Sequence, residues 1–88
     1  MYLMSRYETI LKEVIKIARH NLFMFRCNMR LTQAEMAAKL GVSRATYSFI
    51  ERGHRSGTAD FWAKFKRVFN IPDSEMYSLM KLEERTEK

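Results

Sequence analysis

Gly41 stands between two stretches that each carry the chemistry of a helix start, and this restricts the fold more than any other feature. Upstream, Thr32-Gln-Ala-Glu35 has the spacing of a capping box, in which the threonine hydroxyl accepts from the backbone N–H three residues on and the carboxylate reaches back. A helix therefore starts at Gln33 and carries Met36, Ala37 and Leu40 inward. It meets Gly41, which enters the left-handed region without a Cβ penalty and so ends a helix cheaply. Ser43 then caps a second helix, which runs to about Arg52 and stops at Gly53. Two short helices on so tight a turn must cross closely. A side chain larger than Ala37 would hold them apart, and Gly41 keeps the turn short enough for the second helix to project outward.

A chain of 88 residues supports one core, and only three glycines and one proline interrupt it, which argues against an all-β fold with many turns. The rest also reads as helix. From Ser5 to Ala18 apolar residues recur at Tyr7, Ile10, Leu11, Val14, Ile15, Ile17 and Ala18, an amphipathic stripe. A second pattern follows at Leu22, Phe23, Phe25 and Met29; Asn21 can cap its start, so a break between the two is favoured, although His20 and Asn21 do not forbid one continuous helix. Thr58 can cap a helix with Asp60 in its first turn and an apolar face of Phe61, Trp62, Phe65, Val68 and Phe69. Asn70 to Pro72 break it. Asp73 opens a last helix through Met76, Tyr77, Leu79, Met80 and Leu82, before the charged tail "EERTEK". The expected fold is all-α, a bundle of five or six helices in a single domain spanning 1–88. Its parts are an N-terminal accessory helix (1–17), a core (18–71) and a C-terminal helix with charged tail (73–88).

Sixteen basic against ten acidic side chains give a net charge of +6. Residues 20–58 hold +4 of it and residues 73–88 hold −2. A basic centre is the electrostatic footprint of a nucleic-acid or anionic-surface partner, and equally a solubility device. Cys27, the sole cysteine, excludes an intramolecular disulfide and a four-cysteine zinc site. His20 and His54 lack an accompanying set of ligands, so neither a metal nor a cofactor is expected. An enzyme is not expected either, because Ser43 and Ser48 have no evident base and no glycine-rich phosphate loop is present. The N-terminus is interrupted by charge and reads as neither a signal peptide nor a membrane span, so a cytoplasmic location is expected.

On an ideal helical wheel, Tyr47 and Ile50 point inward and Glu51 lies about 40° from Tyr47. Ala45, Phe49 and Arg52 fall on the opposite side, so an aromatic ring with no core to enter is expected to face outward.

As a set, "LTQAEMAAKLGVSRATYSFIERG" resembles the helix-turn-helix of the phage repressor/Cro type, also called Xre-type, over about Ala18 to Ile71. The matching positions are small Ala37, turn residue Gly41, apolar Met36, Leu40, Val42, Tyr47 and Ile50, and the closing Glu-x-Gly. The resemblance implies a sequence-specific regulator of transcription, in most cases a repressor, that binds a double-stranded DNA operator as a homodimer. The second helix would enter the major groove. Position by position, Arg44, Ala45 and Phe49 match residues that read base edges, with Thr46 and Ser48 on the same helix. Gln33, Ser43 and Arg52 match positions that touch phosphate or the groove wall, and Arg55 follows in the next loop with His54; Arg30 precedes the first helix of the motif. Arg44 offers a bidentate donor pair suited to guanine, and Phe49 suits a thymine methyl. The resemblance also pairs Arg26 with Glu51 as a buried ion pair; the local alternative is Glu51 with Arg55.

Two positions depart from the family. Gly57 stands where a proline is common, and Tyr47 replaces a branched aliphatic and must find a partner for its hydroxyl. The alternative function is a protein-interaction module, or an antitoxin-like protein, that meets a protein partner through the Phe49 face. Either terminal helix is a candidate dimer surface.

Overall fold

The computed structural model describes residues 16–85. Within them the order is a short strand β1 (Lys16–Ala18), helices α1 (His20–Asn28), α2 (Gln33–Leu40), α3 (Arg44–Glu51), α4 (Ala59–Phe69) and α5 (Asp73–Met80), and a strand β2 (Glu83–Arg85). The fold is in essence all-α, with five helices among the described residues.

Local chemistry sets most of the boundaries. Thr32 Oγ1 accepts from Glu35 N at 3.0 Å and Glu35 Oε1 accepts from Thr32 N at 2.8 Å, closing the capping box at the start of α2. Those backbone and side-chain bonds from Thr32 hold the Glu35 carboxyl below its ordinary range. Gly41 closes α2 at φ +70°, where its missing Cβ removes the usual steric cost. Ser43 caps α3 and Thr58 caps α4, each accepting a backbone N–H at 3.0 Å. Asn70 ends α4 in the left-handed region at φ +53°, which asparagine tolerates better than most residues.

The helices enclose one core of Leu22, Met36, Ala37, Leu40, Tyr47, Ile50, Phe61, Trp62, Phe65, Ile71 and Leu79. α2 crosses α3 with Ala37 buried at the corner, and α4 covers α2 from the other side. Phe25 of α1 closes on Phe65 and Phe69 of α4, with ring centroids 5.4 and 5.2 Å apart and the two α4 rings 5.1 Å from each other. Tilted and edge-on rings at these spacings favour quadrupole alignment beyond simple burial. α5 docks on α1, where Asn21 Nδ2 donates to both the carbonyl and the hydroxyl of Ser78.

Three expectations require correction. The first helix does not reach Ala18: residues 16–18 form β1, antiparallel to β2, with Ile17 opposite Glu84. Arg19 turns the chain at φ −90°, ψ 80°, and its backbone N–H donates to Glu51 O at 2.9 Å, so a helix cannot run through it. The remainder of that expected helix lies outside the described residues. The last helix stops at Met80 rather than including Leu82, and Glu83–Arg85 of the charged tail form β2. Gly53 explains the strand pair physically. A Cβ there would meet Leu82 Cδ2 at 2.9 Å and Ile17 O at 3.3 Å, so both terminal segments close on a position without a side chain. Of the apolar residues in these patterns, Phe23, Met29, Val68, Leu82 and above all Tyr77, 77% exposed, face solvent. Asn21 lies inside α1 and Arg19 occupies the cap position without a capping side chain.

Candidate nucleic-acid interface

The turn at Gly41 and the cap at Ser43 aim α3 so that one side enters the core and the other faces away. Tyr47 and Ile50 are buried, whereas Arg44 and Ala45 at its start and Arg52 at its end are exposed. Thr46 and Ser48 are half-buried between these two sides. Ser43 has a double role, accepting from Thr46 N and donating to Thr46 Oγ1 at 2.9 Å, which fixes the first turn of α3.

Phe49 is not the bare aromatic that the wheel suggests. The Arg55 and Arg52 guanidinium groups lie 5.0 and 5.7 Å from its ring centroid, and the His54 imidazole stacks at 6.1 Å and 22°. The ring is half-buried beneath its own cations, held by the attraction of cations to its π-face. Phe49 thus gathers Arg52 and Arg55, with the His54 ring stacked beside them, into one cationic cluster at the end of α3. Arg55 lies over Phe49 rather than beside Glu51, and among the described residues Glu51 pairs with Arg26.

Glu51 is the structural hub beneath this surface. It is 4% exposed, and its two oxygens each accept two hydrogen bonds. Arg26 Nε and Tyr47 Oη donate to Oε2 at 2.8 and 2.7 Å; Arg26 Nη2 and Gln33 Nε2 donate to Oε1 at 3.1 and 3.0 Å. Burial alone would raise the Glu51 pKa, but donation by Arg26, Tyr47 and Gln33 outweighs it and the net shift is downward. The same contact with Glu51 raises Arg26 further above its ordinary value. Burial, reinforced by Glu51, pushes the fully buried Tyr47 phenol well up, so it acts as a neutral donor. Gln33 has one amide N–H committed to Glu51 and is only half-exposed, so it joins the base of α2 to α3. Arg30 is exposed and holds the left-handed conformation at φ +60° that turns the chain between α1 and α2.

Sequence reasoning missed Arg19. It is 6% exposed and donates to four carbonyl oxygens: Met80 (2.7 Å), Ile50 (2.7 Å), Arg55 (3.0 Å) and Ser56 (3.3 Å). Its guanidinium also lies 5.5 Å from the centre of the Trp62 ring. Burial draws its pKa below the ordinary arginine value, yet a guanidinium keeps its proton at any physiological pH. The periodicity of the sequence assigned Arg19 to no face, and carbonyl partners leave no mark on side-chain patterns. Beside α3 a cavity of about 300 Å³ is lined by Val42, Thr46, Ile50, Arg55, Gly57, Thr58 and Phe61.

Among the described residues no group of three potential His, Cys, Asp or Glu ligands comes together, and no helix is long and apolar enough to cross a membrane.

A helix-turn-helix family model matches residues 22–76, which takes in α1 from Leu22 on, all of α2 to α4 and the first half of α5. The chain belongs to the helix-turn-helix family. In this family's terms α2 and α3 are the two helices of the motif and Gly41 its turn. Two proteins of Archaeoglobus fulgidus, both named as uncharacterised HTH-type transcriptional regulators, are similar to it. One is 34% identical over 53 residues, covering 60% of this chain and 75% of the relative. The other is 36% identical over 53 residues, covering 60% and 76%. No solved structure matches the chain.

Proposed function

We propose that this protein is a sequence-specific double-stranded DNA-binding regulator of transcription, a repressor that acts by occupying an operator as a homodimer. The observation that carries this reading is the outward side of α3, where exposed Arg44 and Ala45 precede a cationic cluster of Arg52 and Arg55 built on Phe49 beside the His54 ring. An α-helix fits the major groove, and a guanidinium at its start can donate two hydrogen bonds to guanine O6 and N7. Ala45 leaves the groove floor accessible, and the cations at the far end are set for phosphates. The names of the two Archaeoglobus proteins agree with this reading.

Roles divide accordingly. Arg44 and Ala45 read bases, and the edge of Phe49 that its cations leave open meets a thymine methyl. Arg52 and Arg55 hold the backbone, with Ser43, Thr46 and Ser48 along the groove wall and Gln33 at its rim. Dimerisation is part of the proposal because one such helix contacts too few base pairs for useful specificity, and two-fold operators mirror two-fold proteins. Such a repressor works in the cytoplasm. The two guanidinium groups gathered at Phe49 favour a polyanion such as DNA over an apolar protein partner.

A salt titration tests the proposal. Binding to a duplex bearing the preferred site should weaken steeply and linearly in the logarithm of salt concentration, through release of condensed counterions. Binding that ignores salt would reject it.

A further inference from the structure

Two members of the cluster, His54 and Arg55, lie on a loop, His54–Gly57, that contributes no regular secondary structure of its own. His54 and Arg55 N–H groups both donate to Phe49 O, at 2.8 and 3.2 Å, which ties the first half of the loop to α3. The second half is held from beneath. Ser56 O accepts from Trp62 Nε1 at 3.0 Å, and Gly57 allows the indole so close that an added Cβ would lie 2.7 Å from that nitrogen. Arg19 completes the arrangement, with Nη1 shared between Ile50 O and Arg55 O and Nη2 reaching Ser56 O.

The carbonyls at the end of a helix lack partners within it, and a cation there also meets the negative end of the helix dipole. Arg19 serves two such ends. Nη1 and the backbone N–H take Ile50 O and Glu51 O at the end of α3, and Nε takes Met80 O at the end of α5. Because Arg19 is buried and directed at carbonyls, it does not itself meet the duplex.

We propose that Arg19 is a positioning residue for DNA recognition: its guanidinium clamps the Arg55–Ser56 backbone to the end of α3, and so holds the Arg55 and Phe49 side chains in place for the groove. The proposal rests on the DNA-binding reading given above. It requires the planar fork of arginine. A lysine carries the same charge but presents one nitrogen and cannot span carbonyls on α3, the loop and α5 at once.

The test is a double-mutant cycle of Arg19→Lys and Arg55→Ala, binding measured on the duplex selected by the wild-type chain across a range of salt. Amide exchange of the free proteins is read in parallel. Arg19→Lys should weaken binding about tenfold, the size of one lost charge-assisted contact. It should also lower the salt slope by about one, because the Arg55 phosphate contact goes with it. Adding Arg55→Ala should then change little. In the free protein the His54 and Arg55 amides and the Trp62 indole N–H should exchange faster, while Leu40 and Met36 amides of α2 stay protected. Unchanged exchange in the loop, or a slope equal to wild type with additive effects of the two substitutions, overturns the role of Arg19. A wild-type chain that binds no duplex even at low salt overturns the DNA-binding reading, and with it this one.

Discussion

Glu51→Met is a substitution that the structure makes costly. The carboxylate is almost wholly buried and receives four hydrogen bonds from Arg26, Tyr47 and Gln33, so its removal strands three donors at once. A fully buried tyrosine hydroxyl left without an acceptor costs about 1–3 kcal/mol. Breaking a buried ion pair from one side costs about 3–5 kcal/mol. The two losses overlap, and Arg26 keeps Leu31 O as an acceptor and 12% of its side chain in solvent, so about 4 kcal/mol in total is expected. A domain of this size has roughly 5–13 kcal/mol to lose, and the corresponding fall in Tm is on the order of 15–30 °C. Arg26→Met alone leaves the carboxylate with two neutral donors and should cost about 3 kcal/mol. The double variant Arg26→Met/Glu51→Met has no unpaired buried charge and should cost no more than Glu51→Met by itself. That corresponds to a coupling of about 3 kcal/mol. Urea unfolding reads these values as midpoint shifts at constant slope. Costs that simply add in the double variant, with a coupling below about 0.5 kcal/mol, would refute the claim that Glu51 is the hub.

Acid should act through the same residue. Its folded-state pKa lies below the ordinary value of 4.5, so its contribution to stability is complete above that value and is lost as pH falls through the depressed one. Urea midpoints measured down through this range should fall for wild type and lose that component in Glu51→Gln. Gly53→Ala should destabilise more than Gly41→Ala, although both have positive φ: at 53 the new Cβ meets Leu82 and the Ile17 carbonyl, at 41 only the flexible end of Lys64. About 1 kcal/mol is expected at 41 for the left-handed conformation, and clearly more at 53, by thermal unfolding. Replacing thymine by uracil along the operator should weaken wild-type binding at one position per half-site and leave Phe49→Ala indifferent at that position, as measured by competition titration.

The helices that carry the site could be read from short-range chemistry. Thr32, Glu35, Gly41, Ser43 and Thr58 act through neighbours three or four residues away, so spacing alone reveals them. The inward side of α3 followed from the period of Tyr47 and Ile50. The covering of Phe49 did not, because it depends on the path of the chain after Gly53, which folds Arg55 back over the ring. Long-range contacts were hidden for the same reason. The strand pair joins residues more than sixty positions apart, and Lys16–Ala18 extends a pattern that is helical on its face. Arg19 binds backbone carbonyls of Ile50, Arg55, Ser56 and Met80, which every residue possesses, so no residue type at those positions points back to it.

The claim that α3 reads DNA is tested most directly by selecting bound duplexes from a fully randomised pool with purified wild-type protein and, in parallel, with Arg44→Ala. The wild-type chain should enrich a two-fold symmetric site with one guanine per half-site strongly fixed. Arg44→Ala should lose preference at that base pair alone, with binding to the wild-type site weaker by about 1–3 kcal/mol. A pool that emerges unenriched at low salt, or a fixed guanine that survives the loss of Arg44, would contradict the account.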